Sequence, residues 1–243
     1  MRLQSLIMTT IALNLHHVRD QMLTACVAAG RHPDSVQLLA VSKTFGPDCV
    51  REATTTGQRA FGENYITEGV EKIQALADLR AQLVWHCIGP VQSNKTRLVA
   101  EHFDWVQSVD RLKIAQRLSE QRPAGLPPLQ VCLQVNLDGG ANKSGVTPYE
   151  LPALAQAVLQ LPRLVLRGLM MIPEPAPHFE AACAVNAQAR AVFDALNKDL
   201  IAAGRLSAPM DTLSLGMSGD LEAAIHCGST MVRVGSAIFG RRG

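Results

Sequence analysis

Along the chain, short continuous apolar runs alternate with longer stretches whose apolar residues return every third or fourth position. The first such stretch places Ile11, Leu15, Val18, Met22 and Cys26 on one face of a helix, and Gly30 is a natural terminator just beyond. After it, apolar runs at 36–42, 58–64, 82–89, 104–110, 129–136, 163–172, 211–216 and 230–235 predict strands. The segments 47–57, 66–80, 92–102, 111–122, 147–161, 178–200 and 219–228 predict helices between them. The punctuation agrees. Pro47 sits near the first turn of its segment and Gly57 ends it, while Pro123 stops the helix over 111–122. Thr147, Pro148 and Glu150 spell a capping box.

Strands that alternate with helices pair in parallel. The repeated unit predicts an α/β fold: a single (β/α)8 TIM-type barrel over residues 1–243, with an extra N-terminal helix. An open doubly wound sheet is the alternative. The Pro-rich stretches 123–128 and 173–177 are short enough to be loops, so no linker divides the chain.

Composition narrows the partners. Hydrophobic residues make up 47% of the chain, enough for a large core, and the net charge is only +2. Aromatics are 4% and no basic stretch alternates with them, so nothing suggests nucleic acid. No apolar run is long enough to span a bilayer. The opening "MRLQSLIMTTIALNL" is broken by Gln4, Ser5, Thr9, Thr10 and Asn14 and reads as the approach to a helix rather than a signal peptide. Met8 would serve as well as Met1 for a start. The six cysteines show neither CxxC nor zinc-finger spacing, which favours small buried hydrophobes and a reducing, cytoplasmic location.

A barrel of this kind keeps its chemistry in the loops after its strands. Those loops hold Lys43 and Thr44, Glu63 and Asn64, His86 to Pro90, Ser108, Asn136, Met170 and Met171, Gly216 to Gly219, and Gly235 with Ser236. An amine at an apolar strand end loses hydration, which favours its neutral, nucleophilic form. A strand-end lysine that snorkels to water is the bland alternative. The two turns after the last strands are rich in small residues, the usual place for a phosphate. Ser218 and Gly219 stand before a helix, and Gly235 and Ser236 could add N–H donors and a hydroxyl. Read singly, Gly216 and Gly219 are turn glycines and Ser218 an N-cap. Arg233 between valines is costly unless it pairs with an acid, Glu63 or Glu222, or points at a ligand. An aldehyde-reactive lysine facing a phosphate cradle suggests pyridoxal 5′-phosphate (PLP).

The motifs "AVSKT", "FGENY", "WHCIGPVQSNK", "KSG", "RGLMMIP", "LSLGMSGDLEAAI" and "GSTMVRVGSAIFG" together resemble the PLP homeostasis protein family, which is similar to the barrel domain of alanine racemase. The resemblance runs from about Ile11 to Arg241. It implies the fold of type III PLP proteins without their C-terminal β-domain. It also implies that Lys43 carries PLP as a Schiff base, that Asn64 lies near the cofactor, and that Met217, Ser218, Gly235 and Ser236 surround the phosphate. Arg233 would face the pyridine nitrogen. The implied role is intracellular: buffering PLP or delivering it to apo PLP-dependent enzymes, without strong turnover, as a monomer or weak dimer. Many relatives carry an acid where Gly219 stands and threonine where Ser236 stands; the N–H and the hydroxyl are retained.

Other candidates are weaker. "DGGANKSG" (138–145) lacks the glycine a P-loop needs before its lysine. The basic segments 92–97 and 142–145 read as solvated loops, and His86 as a hydrogen-bonded strand histidine. His16 and His17 are adjacent and face different ways, and no metal motif is present. An amino-acid racemase is the alternative function. It needs a second proton-transfer group, a tyrosine that alanine racemases supply from a second domain. No such domain is expected after Gly243, and Tyr65 and Tyr149 match no racemase motif. A PLP-free Schiff-base aldolase is a third possibility.

Overall fold

Each apolar run of the chain becomes one stave of a closed parallel barrel. The computed structural model describes residues 9–138 and 144–240. Its strands are β1 (Gln37–Val41), β2 (Ala60–Glu63), β3 (Val84–Cys87), β4 (Trp105–Val109), β5 (Leu129–Val135), β6 (Leu164–Met171), β7 (Thr212–Ser214) and β8 (Met231–Val234). They neighbour one another in chain order, and the pairing of Gln37–Ala40 with Met231–Val234 closes the ring. That pairing excludes the open sheet. The helices are α1 (Thr10–Ala28), α2 (Pro47–Thr55), α3 (Ile66–Ala75), α4 (Thr96–His102), α5 (Leu112–Gln121), α6 (Leu151–Val158), α7 (Phe179–Ala202), α8 (Leu221–His226) and α9 (Ser236–Phe239). The extra helix α1 ends at Ala28, and Gly30 just past its cap has a φ of 65° that suits glycine. It packs against α2, α8 and α9, and Asn14 donates to the Ile238 carbonyl at 2.8 Å.

Several boundaries differ from the sequence pattern, each for a local reason. The helix expected over 66–80 ends at Ala75, and residues 77–82 tighten into a 3₁₀ turn. The helix expected over 92–102 opens with a 3₁₀ turn at Ser93–Lys95. The capping box forms, with the Glu150 N–H on Thr147 Oγ1 at 3.3 Å and the Thr147 N–H on Glu150 Oε2 at 3.1 Å. It builds a lead-in turn, and α geometry starts only at Leu151. Thr147→Ala is therefore expected to cost about 1 kcal/mol, read as a lower urea midpoint at unchanged slope. The helix expected over 219–228 shrinks to α8, whose N-cap position is Asp220, so Ser218 is not the cap. The short α9 follows β8, where the periodicity gave no helix. The start-site question and residues 139–143 lie outside the described residues.

Two cores result. Outward strand residues such as Phe61, Trp85, Val106, Leu133, Leu169 and Val232 pack under the helices. Inside the barrel, Leu39, Val41, Ala60, Ile88 and Met231 form a smaller apolar plug. Polar side chains share the interior, with His86, Gln107, Ser214 and Arg233 all buried. All six cysteines are free. Cys87 and Cys132 are buried, and burial pushes each thiol up to about 12, so they behave as small hydrophobes.

Candidate functional site

The site is assembled where β1, β2, β7 and β8 end. Ser42 continues β1 by donating its N–H to the Gly62 carbonyl at 3.0 Å. The chain then turns: the Phe45 N–H donates to the Ser42 carbonyl at 3.1 Å, with Lys43 and Thr44 at the corner. Lys43 is half-buried and reaches into a cavity of about 370 Å³. Asn64 follows β2 and lines the same cavity. Its backbone is approached by Gly89, where a Cβ would fall 2.1 Å from the Asn64 carbonyl oxygen. Only glycine lets the loop after β3 lie against it.

On the opposite wall, Gly216 leaves β7 with a φ of 95°, and a Cβ there would lie 2.5 Å from the Ala224 Cβ. This lets the turn fold tightly over α8. Asp220 Oδ1 accepts from the Met217 N–H at 2.7 Å, which pins the turn. The N–H groups of Ser218 and Gly219 donate to no acceptor among the described residues. Ser236 and Ala237 open α9, so their N–H groups have no intrahelical acceptor either. An anion placed between these two turns would meet donors from both.

Arg233 forms the floor. It is buried, donates from Nη1 to Ser214 Oγ at 2.7 Å and from Nη2 to the Met171 carbonyl at 2.8 Å. Burial lowers its guanidinium to about 10, against the upward pull of Asp220, so it stays cationic at neutral pH. Ser214 donates onward to Gln107 Oε1 at 2.6 Å, and Gln107 Nε2 lies 2.9 Å from His86 Nδ1. Burial drives the His86 imidazole down to about 3, so it is neutral and accepts at Nδ1. These bonds hold Arg233 as a donor at the floor of the cavity. Of the two readings open for Arg233, the acid pair is not the one formed: among the described residues it makes no ion pair with Glu63 or Glu222. Glu63 instead pairs with Lys72 at 2.6 Å, because both face the space under the β1 turn.

Lys43, Asn64, Met217, Ser218, Arg233, Gly235 and Ser236 thus all line one cavity. The sequence reading did not assign Val41, Ile88 and Ile172, which add apolar walls. Ile88 already falls in the strand-end segment His86 to Pro90, though no role was given to it; Ile172 directly follows β6 in "MMIP", where the rule that selected Lys43 would have found it. It also missed Lys72, which is helical yet buried; the apolar face of α3 carried by Gly69, Val70 and Ile73 was its only signal. A neighbouring cavity of about 600 Å³ shares Met217, Ser218 and Gly219, but no strand residue lines it and Lys43 and Arg233 are absent from its wall. We place the chemistry in the smaller one, whose volume already falls within the roughly 300–1,000 Å³ of small-molecule sites. Among the described residues no cluster of three or more histidine, cysteine, aspartate or glutamate side chains could hold a metal, and no helix is long and apolar enough to cross a membrane.

Residues 14–243 match the family model described as alanine racemase, N-terminal domain. The chain is 59% identical over 235 residues to the pyridoxal phosphate homeostasis protein of Pseudomonas aeruginosa, covering 97% of each. It is 52% identical over 236 residues to the protein of the same name in Escherichia coli, covering 97% of this chain and 98% of that one. The solved structure of PipY from Synechococcus elongatus with PLP bound superposes with a TM-score of 0.81 at 38% identity, over 95% of this chain and all of that one. Alanine racemase from Corynebacterium glutamicum shares the barrel alone, with a TM-score of 0.65 at 17% identity over 96% of this chain and 60% of that one.

Proposed function

Because this chain belongs to the pyridoxal phosphate homeostasis protein family, built on the alanine racemase N-terminal domain, we propose that it binds PLP as a Schiff base on Lys43 and holds it as cargo. Residues 1–243 act as one PLP-binding domain, as a monomer or weak dimer, in the cytoplasm, where six free cysteines stay reduced. The observation that carries this reading is the convergence of a strand-end amine, a fixed guanidinium and unused backbone N–H groups on one cavity. The three groups match an aldehyde, a ring nitrogen and a phosphate in turn. When bound, PLP supplies an aldehyde that condenses with an amine and releases water. Ser218, Gly219 and Ser236 hold the phosphate by N–H groups and the Ser236 hydroxyl, with Met217 and Gly235 shaping the two turns. Asn64 borders the ring.

Arg233 sets the use of the site. It presents only donors to the ring nitrogen, so that nitrogen accepts and carries no proton of its own. A ring in that state is a poorer electron sink, which favours storage over carbanion chemistry. Delivery to apo PLP-dependent enzymes follows from the reversibility of the lysine bond. Racemisation would need a second proton-transfer group, and neither Tyr65 nor Tyr149 lines the Lys43 cavity.

Two assays on the PLP-loaded protein test the reading together. Mixed with an apo aminotransferase, it is expected to restore that enzyme's activity while its own bound PLP falls. Given L-alanine, it is expected to produce D-alanine at well under about 1 per second, the low end of ordinary turnover. Racemisation in the ordinary range would replace the carrier reading with an alanine-type racemase.

A further inference from the structure

The turn that presents Lys43 is strained, and a charge cluster grips it on both sides, buried at Lys72 and Glu63 and part-exposed at Glu68. Thr44, the third residue of the 42–45 turn, has a φ of 69°. This is left-handed backbone, where a turn normally uses glycine and a β-branched side chain is an outlier. The Thr44 N–H donates to Glu68 Oε1 at 2.6 Å. On the other side of Lys43, the Ser42 carbonyl accepts from Lys72 Nζ at 2.8 Å, and Ser42 Oγ donates to Glu63 Oε1 at 2.6 Å. Lys72 ties these grips together. Its ammonium also donates to Glu63 Oε1 at 2.6 Å and to Glu68 Oε1 at 3.2 Å.

Neither Lys72 nor Glu68 lines the cavity, so neither touches a ligand there. Yet every contact of the Lys72 ammonium ends on the backbone of the turn or on a carboxylate that holds it. Buried charges are costly, and well-packed apolar residues usually serve stability as well or better. Backbone strain persists only where the surroundings over-determine it. We propose that Lys72 and Glu68 are positioning residues that lock the 42–45 turn in its strained form, so that the Lys43 amine is aimed into the cavity. This rests on the reading of Lys43 as the PLP anchor.

The test compares wild type with Glu68→Ala, Glu68→Gln and the double variant Glu68→Ala/Thr44→Gly, with Lys43→Ala as blank. PLP affinity is measured by titration. The share of bound PLP that borohydride fixes on Lys43 is measured by peptide mapping, and apo stability by urea. Glu68→Ala is expected to weaken PLP binding about tenfold and to lower the share fixed on Lys43. Glu68→Gln keeps an oxygen acceptor for the Thr44 N–H and is expected to stay near wild type. Thr44→Gly lets the turn adopt its φ without steric cost, so it is expected to recover most of what Glu68→Ala loses. A purely structural cluster would lower apo stability in Glu68→Ala without changing the share fixed on Lys43. That result, or a double variant no better than Glu68→Ala, overturns the inference while leaving the anchor reading intact. If wild type itself fixes no PLP on Lys43, the anchor reading fails and the inference falls with it.

Discussion

Wild-type protein is expected to gain yellow absorbance on adding PLP, and Lys43→Ala is expected to abolish it. The reason is local. Lys43 is the lysine in the cavity wall, and it faces both small-residue turns. Without its amine, the proposed site would hold PLP only by its phosphate donors and Arg233. Affinity is expected to fall by about two orders of magnitude, roughly 3 kcal/mol. The apo protein is expected to keep its stability to within about 0.5 kcal/mol, because a half-buried loop side chain supports little of the core. A matched pair of titrations followed by absorbance, with urea unfolding of both apo proteins, separates loss of the bond from loss of the fold.

Lys72→Met is expected to be the most destabilising of the changes considered. The Lys72 and Glu63 side chains are 3% and 0% exposed. Removing one partner leaves a buried charge uncompensated, a loss of about 3–5 kcal/mol. The pH dependence has a definite sign. Burial already pushes the Glu63 carboxyl above the ordinary carboxylate range, opposed by Lys72 and by the Ser42 hydroxyl. Without Lys72 the folded value rises further above the unfolded one. A group raised in the folded state favours folding at low pH, and that contribution is lost as pH rises through the folded value. The deficit of Lys72→Met relative to wild type is therefore expected to be larger near about pH 7.5 and to shrink toward about pH 5. Adding Glu63→Gln removes the stranded charge and is expected to recover much of the loss at neutral pH. Urea midpoints of the three proteins at the two pH values decide it; a deficit that grows as pH falls would contradict this account.

The barrel was legible because each apolar run was bounded by turn residues and each intervening helix had one apolar face. Closure was not written in any one segment; it depends on β8 finding β1, a contact between the ends of the chain. The strand-end rule brought Lys43, Asn64, Met217, Ser218, Gly235 and Ser236 to one mouth, since parallel strands deliver all their following loops to the same side. Arg233 was legible as an oddity, a charge inside an apolar strand, but its partners were not. Its guanidinium is met by Ser214 from β7 and by the Met171 carbonyl from β6, a polar chain that only the closed interior brings together. Lys72 escaped for the opposite reason. A lysine on an amphipathic helix normally marks the solvent face, and here it crosses beneath the β1 turn to a buried glutamate. Ser218 looked like a helix cap and is not one, because Asp220 takes that position and leaves the Ser218 and Gly219 N–H groups unused.

We propose that Lys43 forms the covalent bond to PLP. Borohydride reduction of the PLP-treated protein at low stoichiometry, followed by proteolysis and mass spectrometry, tests it most directly. A single dominant phosphopyridoxyl adduct is expected on the peptide containing Lys43. An adduct spread over surface lysines, or concentrated on another residue with Lys43 unmodified, would contradict it.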